Sequence, residues 1–277
     1  MTLSARNNFF KGGIVFAAVS LVFTASGGYF AFGALPETAA AAGLRSHGFI
    51  QQTAFNLTEA SAYVPYWTML GITAYSLISI ILIYYFFENT RSPEILFFSF
   101  FIMSLSFEFI RILLPLKQVY SFPSMYLITA SRVLFFGRYL GLFSLFAAGV
   151  YAAGLEMRKQ ENAFIILVLA SLYIALNIPV DCLVWDSTFV LHTGYNTMLR
   201  MAEAGILAIT IITFFVSAYT RSSKNYIFIG IGTFLVFAGR NIIFSSDTWI
   251  TPLPGLLFMA AGTWFVCTRL HREYLWL

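Results

Sequence analysis

Eight stretches of mostly apolar residues follow one another along this chain of 277 residues. Each approaches the roughly 20 residues that a helix needs to cross a bilayer. They run from about Gly12 to Ala34, Tyr66 to Phe87, Ile95 to Leu114, Met125 to Tyr151, Ala163 to Trp185, Met198 to Tyr219, Tyr226 to Phe244 and Leu253 to Leu270. With 59% hydrophobic and only 10% charged residues, the chain cannot cover a water-facing surface, where about 25% charge is usual. Soluble, disordered, fibrous and disulfide-stapled folds are excluded. Barrel strands alternate over about ten residues, whereas these runs are longer and continuous, so strands are not expected. The expected fold is an all-α polytopic transmembrane bundle of eight spans. It divides into an N-terminal span (1–35), an outer connection (36–65) and a seven-helix bundle (66–277).

The connections orient the bundle. Short cytoplasmic loops carry an excess of Lys and Arg. Arg6, Lys11, Arg91, Arg158, Lys159, Arg221, Lys224, Arg269 and Arg272 fall on one side, and only Arg45 and Lys117 on the other. Both termini are therefore expected in the cytoplasm, as in a bacterial inner membrane or plasma membrane protein. The net charge of +4 marks those loops rather than nucleic-acid affinity. The first span has a rival reading: a basic start, an apolar stretch and the small residues around Ala31 and Gly33 resemble a cleavable signal, and cleavage would leave seven spans. In the outer connection, Ala39–Ala42 and Phe49–Tyr63 are candidates for short surface helices. Cys182 and Cys267 fall near opposite faces, too far apart to bridge.

Charged residues inside spans are costly and usually mark function. The third span has Glu108 and Arg111, the fourth Arg132 and Arg138, the fifth Asp181, the sixth Arg200 and Glu203, and the seventh Arg240 followed by Asn241. At 1.5 Å rise per residue, all of these fall at or outside the midplane, although successive spans run in opposite directions. Glu108 with Arg111, and Arg200 with Glu203, are spaced for same-helix ion pairs. Asn177 and Asp181 are placed on one face of the fifth span, which Pro179 should kink. Gly137 and Gly141 are spaced for close helix approach.

If three acids neutralise three of the five Arg, two guanidiniums remain for an anion, and Arg is the preferred donor to phosphate or carboxylate. One reading is therefore an outer pocket for an anionic or zwitterionic ligand, a lipid headgroup or a small acid. Its candidate residues are Glu108, Arg111, Arg132, Arg138, Asn177, Asp181, Arg200, Glu203, Arg240 and Asn241. The other reading is a structural network that pins the helices together, with spare Arg side chains reaching the interface.

His47, His192 and His271 lie outside the eight stretches, and every Lys lies at a loop or span end. Neither a bis-His haem site, an intramembrane zinc site, a Schiff-base lysine nor a nucleotide-binding motif is present, so no cofactor or metal is expected. The arrangement resembles the bacterial seven-helix sensor modules in architecture alone. That resemblance covers residues 66–277 and implies a receptor-like sensor or accessory subunit among membrane lipids, with a protein partner or homo-oligomer carrying the signal. A transporter, or a lipid-handling protein or enzyme using the same charges, is the alternative.

Overall fold

The computed structural model of the protein describes residues 3–33, 63–88, 90, 92–120, 123–155 and 160–275. The expected surface helices of the outer connection lie outside the described residues, apart from the start of the second helix at Tyr63. The elements are α1 (Leu3–Gly33), α2 (Tyr63–Phe87), α3 (Pro93–Ser104), a 3-10 stretch (Leu105–Ile112), α4 (Leu113–Tyr120), α5 (Ser124–Ala152) and α6 (Gln160–Asn177). A two-stranded hairpin follows, β1 (Val180–Trp185) and β2 (Leu191–Thr193), and then α7 (Asn196–Thr220), α8 (Asn225–Phe244) and α9 (Pro252–Leu275). The protein is an all-α bundle with eight helices long and apolar enough to cross a membrane.

The third span, Pro93–Lys117, is the hub. Of its most apolar stretch 83% is buried, against 17% for α6 and 22% for α7, so α6 and α7 turn most of their surface outward. Helix α1 belongs to the bundle: Phe9 lies against Phe100 and Phe16 against Phe107, with ring centroids 4.0 and 5.0 Å apart. Pro115 explains the 3-10 stretch within this hub. Without a backbone N–H it cannot bond the carbonyl four residues back, that of Arg111, and the turns before it tighten.

Two expectations are corrected here. The fifth span does not run to Trp185 with a kink. Helix α6 stops at Asn177, because the residue before a proline is pushed out of the helical region and Pro179 follows. The Asn177 amide closes the end by donating to the Tyr173 carbonyl at 2.7 Å. Strands, which were not expected, then form: Val180 pairs with Thr193 and Trp185 with Leu191, with an irregular register between. Asp181 and Cys182 therefore belong to β1, not to a helix. At the other end of the chain α9 runs five residues beyond Leu270, which places His271 on a helix, its ring edge-on to Phe87.

Helices α8 and α9 touch backbone to backbone. A Cβ at Gly239 would lie 2.6 Å from the Gly255 carbonyl oxygen and 2.8 Å from the Met259 nitrogen. A Cβ at Gly137 would run into the Phe107 side chain, and one at Gly141 into the Ser104 hydroxyl. Gly239→Ala should force α8 and α9 apart and cost about 1–3 kcal/mol of stability. Thermal unfolding of the detergent-solubilised protein checks this.

Candidate ligand cavity at the hairpin end

The hairpin lies at one end of the bundle. The opposite end gathers the start of α1, the ends of α2, α5, α7 and α9, and the starts of α3 and α8. There Arg6 donates to the Phe87 and Glu88 carbonyls at 2.9 and 2.6 Å. The basic loops lie at that opposite end, so by the positive-inside rule the hairpin end is the outer one.

A cavity of about 520 Å³ opens at the outer end. Helix α5 contributes Phe135, Arg138 and Tyr139, the hairpin Asp186 to Thr188, helix α7 Arg200 and Glu203, and α8 Asn241 and Phe244. The buried Glu108 carboxylate sits beside it and holds two guanidiniums. Arg138 Nε donates to Glu108 Oε1 at 2.8 Å, and Arg138 Nη2 to Oε2 at 3.0 Å. Arg111 Nη1 reaches Oε2 at 3.2 Å. In a 3-10 turn, side chains three apart stand directly above one another, so the local helix geometry aligns Glu108 with Arg111.

Arg111 also turns away from the carboxylate to the hairpin. Its Nε donates to the Thr188 carbonyl at 2.9 Å, and Nη2 to the same oxygen. Ser187 adds a bond to Asp247 at 3.2 Å. The neighbouring Phe189 adopts a left-handed φ of 56°, which a bulky residue keeps only where its surroundings enforce it. Phe189 packs against the cluster of Ala31, Met69, Ile112 and Leu116. The hairpin is thus tied across the outer end by polar bonds and an apolar tip.

Arg240 is fully buried. Its guanidinium lies 4.8 Å from the Phe244 ring centroid, and that of Arg138 lies 4.2 Å from the same ring. Arg240 Nη2 donates to the Arg138 carbonyl at 3.3 Å, while Nη1 has no hydrogen-bond partner. Glu203 faces the same cavity from α7.

The candidate residues therefore separate. Glu108, Arg111, Arg138, Arg240, Arg200, Glu203 and Asn241 come together at or beside the cavity. Arg132 does not line it and is exposed on α5. Asn177 is exposed at the end of α6. Asp181 lies on β1. Arg200 and Glu203 form no ion pair among the described residues; both line the cavity instead. The sequence reading missed Asp186, Ser187 and Thr188, although Pro179 and the Gly194–Tyr195 turn bracket the hairpin.

It also missed a buried carboxylate at the inner end, among the basic residues expected there. Glu94 is 1% exposed. Its Oε2 accepts from Ser92 Oγ at 2.8 Å and from the Tyr274 hydroxyl at 2.5 Å. Arg221 stands 3.8 Å from Oε1 and donates to the Tyr226 hydroxyl at 2.7 Å. Pro93 is the signal that was passed over. Proline favours the first helical position, and this places Glu94 inside the first turn, where an acid is stabilised. Tyr274→Phe should lower stability by about 2 kcal/mol, since a bond to a buried charge is lost. Chemical denaturation in detergent reads that loss.

Fold and cavity together define the class: a multi-pass helical membrane protein with a charged cavity at one end of its bundle. Against known proteins, the chain is 22% identical over 240 residues to an uncharacterized protein of Treponema pallidum (strain Nichols), covering 69% of each. No family model matches the chain, and no solved structure matches it.

Proposed function

We propose that this protein is an integral membrane sensor or accessory subunit that binds an anionic or zwitterionic ligand in the outer cavity. The observation that carries the reading is Arg138. Its guanidinium lines a cavity of about 520 Å³, within the usual range of roughly 300–1,000 Å³ for ligand sites. Glu108 engages only its Nε and Nη2. Glu108 and the aromatic rings orient Arg138, as a preorganised anion-binding group requires.

Carriage of the ligand across the membrane is the second reading. The Glu94 cluster favours it, because it lies at the inner end of the same helices α5, α7 and α8. Between the two levels, however, Leu142, Leu145, Leu207, Phe214 and Val236 are buried and close the seam. Binding without passage is the reading this packing supports.

Access tests the proposal. In a Cys182→Ser, Cys267→Ser background, Ser245→Cys on the cavity wall should react with a membrane-impermeant maleimide added outside intact cells. Ser223→Cys at the other end should react only after permeabilisation. The reverse pattern would sink the proposal of an outward-opening site.

A further inference from the structure

The ionisable groups of the cavity and its surroundings bear on what kind of anion fits. Four guanidiniums gather there: Arg111, Arg138, Arg200 and Arg240. Three carboxylates stand with them, Glu108, Asp186 and Glu203, and a fourth, Asp247, accepts from Ser187 of the cavity wall. The signs balance, yet Arg240 has no carboxylate within 4 Å among the described residues, and its Nη1 has no hydrogen-bond partner. The carboxylates are not equivalent. Glu108 is buried and already takes three bonds from Arg111 and Arg138. Glu203 and Asp186 line the cavity itself, on α7 and on the hairpin, and neither has an ion pair within 4 Å among the described residues.

An amine-free anion entering this cavity meets Arg138 and Arg200, but also two carboxylates that it leaves uncompensated and partly desolvated. Like charges brought together out of water repel strongly. A ligand that carries an ammonium a few bonds from its anionic group satisfies both sets. Resting on the anion-binding reading above, we infer that the cavity selects zwitterions bearing a primary ammonium. The anionic group takes Arg138 and Arg200, with the buried Arg240 behind them, and the ammonium takes Glu203 and Asp186. Free α-amino acids and the phosphoethanolamine headgroup of a lipid share this chemistry.

Isothermal titration of the full chain in phosphatidylglycerol nanodiscs, with probes matched except for the amine, tests the inference. L-alanine is compared with propionate, and phosphoethanolamine with ethyl phosphate. In at least one pair the amine-bearing probe should bind about tenfold tighter or more, the ratio that 1.4 kcal/mol represents. Glu203→Gln should erase that ratio, and Asp186→Asn, on the exposed hairpin, should reduce it. Unfolding midpoints of both variants confirm that they remain folded. Adding phosphatidylethanolamine to the discs separates the sources. Competition with the soluble probe assigns a lipid headgroup, and undiminished binding assigns a free solute. If the amine-free probes bind equally or better, zwitterion selection is wrong while anion binding stands. If no probe of either pair binds and phosphatidylethanolamine is not retained on purification, both readings fall.

Discussion

Glu108→Ala is expected to lower the unfolding free energy in detergent by about 3–5 kcal/mol, the cost of breaking a buried charge set by removing one partner. Glu108 is the only carboxylate within ion-pair distance of either Arg111 or Arg138 among the described residues. Arg111 is fully buried in the most buried span, and Arg138 is only 14% exposed at the cavity wall, so without Glu108 the charge on Arg111 above all stays in a medium that does not solvate it. Glu108→Gln should also be costly: it preserves volume but puts an amide donor against guanidinium donors. A loss near 1 kcal/mol or less for the alanine variant would mean that water already solvates the pair, and that the site is more open than the packing implies.

The second large effect separates the two arginines that share Glu108. Arg138→Ala should weaken ligand binding about 100-fold or more, since truncating one partner of a buried charged contact costs roughly 2–5 kcal/mol. Arg111→Ala should act elsewhere. Its guanidinium holds the Thr188 carbonyl, so its loss should speed hydrogen exchange across residues 180–193 while binding falls far less. Amide exchange followed by mass spectrometry, alongside titration of both variants, distinguishes them. Equal and negligible effects on binding would return the charges to a purely structural network.

The bundle was legible because a lipid-facing surface leaves its mark on every residue of a span. The Glu108–Arg111 pair was legible because spacing of three puts both side chains on one face. The hairpin was not. Apart from Asp181, Val180 to Trp185 is apolar, and its composition is compatible with either a helix end or a buried strand. Pro179 permits either a kink or a stop, and the choice is made by tertiary contacts to α4, α5 and the outer cluster around Phe189. Arg132 and Arg138 look alike in sequence, but six residues along a helix place them on different faces, and only Arg138 meets Glu108. Glu94 was hidden by its neighbour: a proline reads as loop punctuation, yet here it opens the helix.

Native mass spectrometry of the purified protein, wild type beside Arg138→Ala and Arg111→Ala, tests the central claim most directly. The account predicts a defined adduct of anionic or zwitterionic mass class on the wild type, retained on Arg111→Ala and absent from a folded Arg138→Ala. An adduct that persists undiminished on Arg138→Ala, or a wild type that carries none while all three proteins differ only in stability, would contradict it.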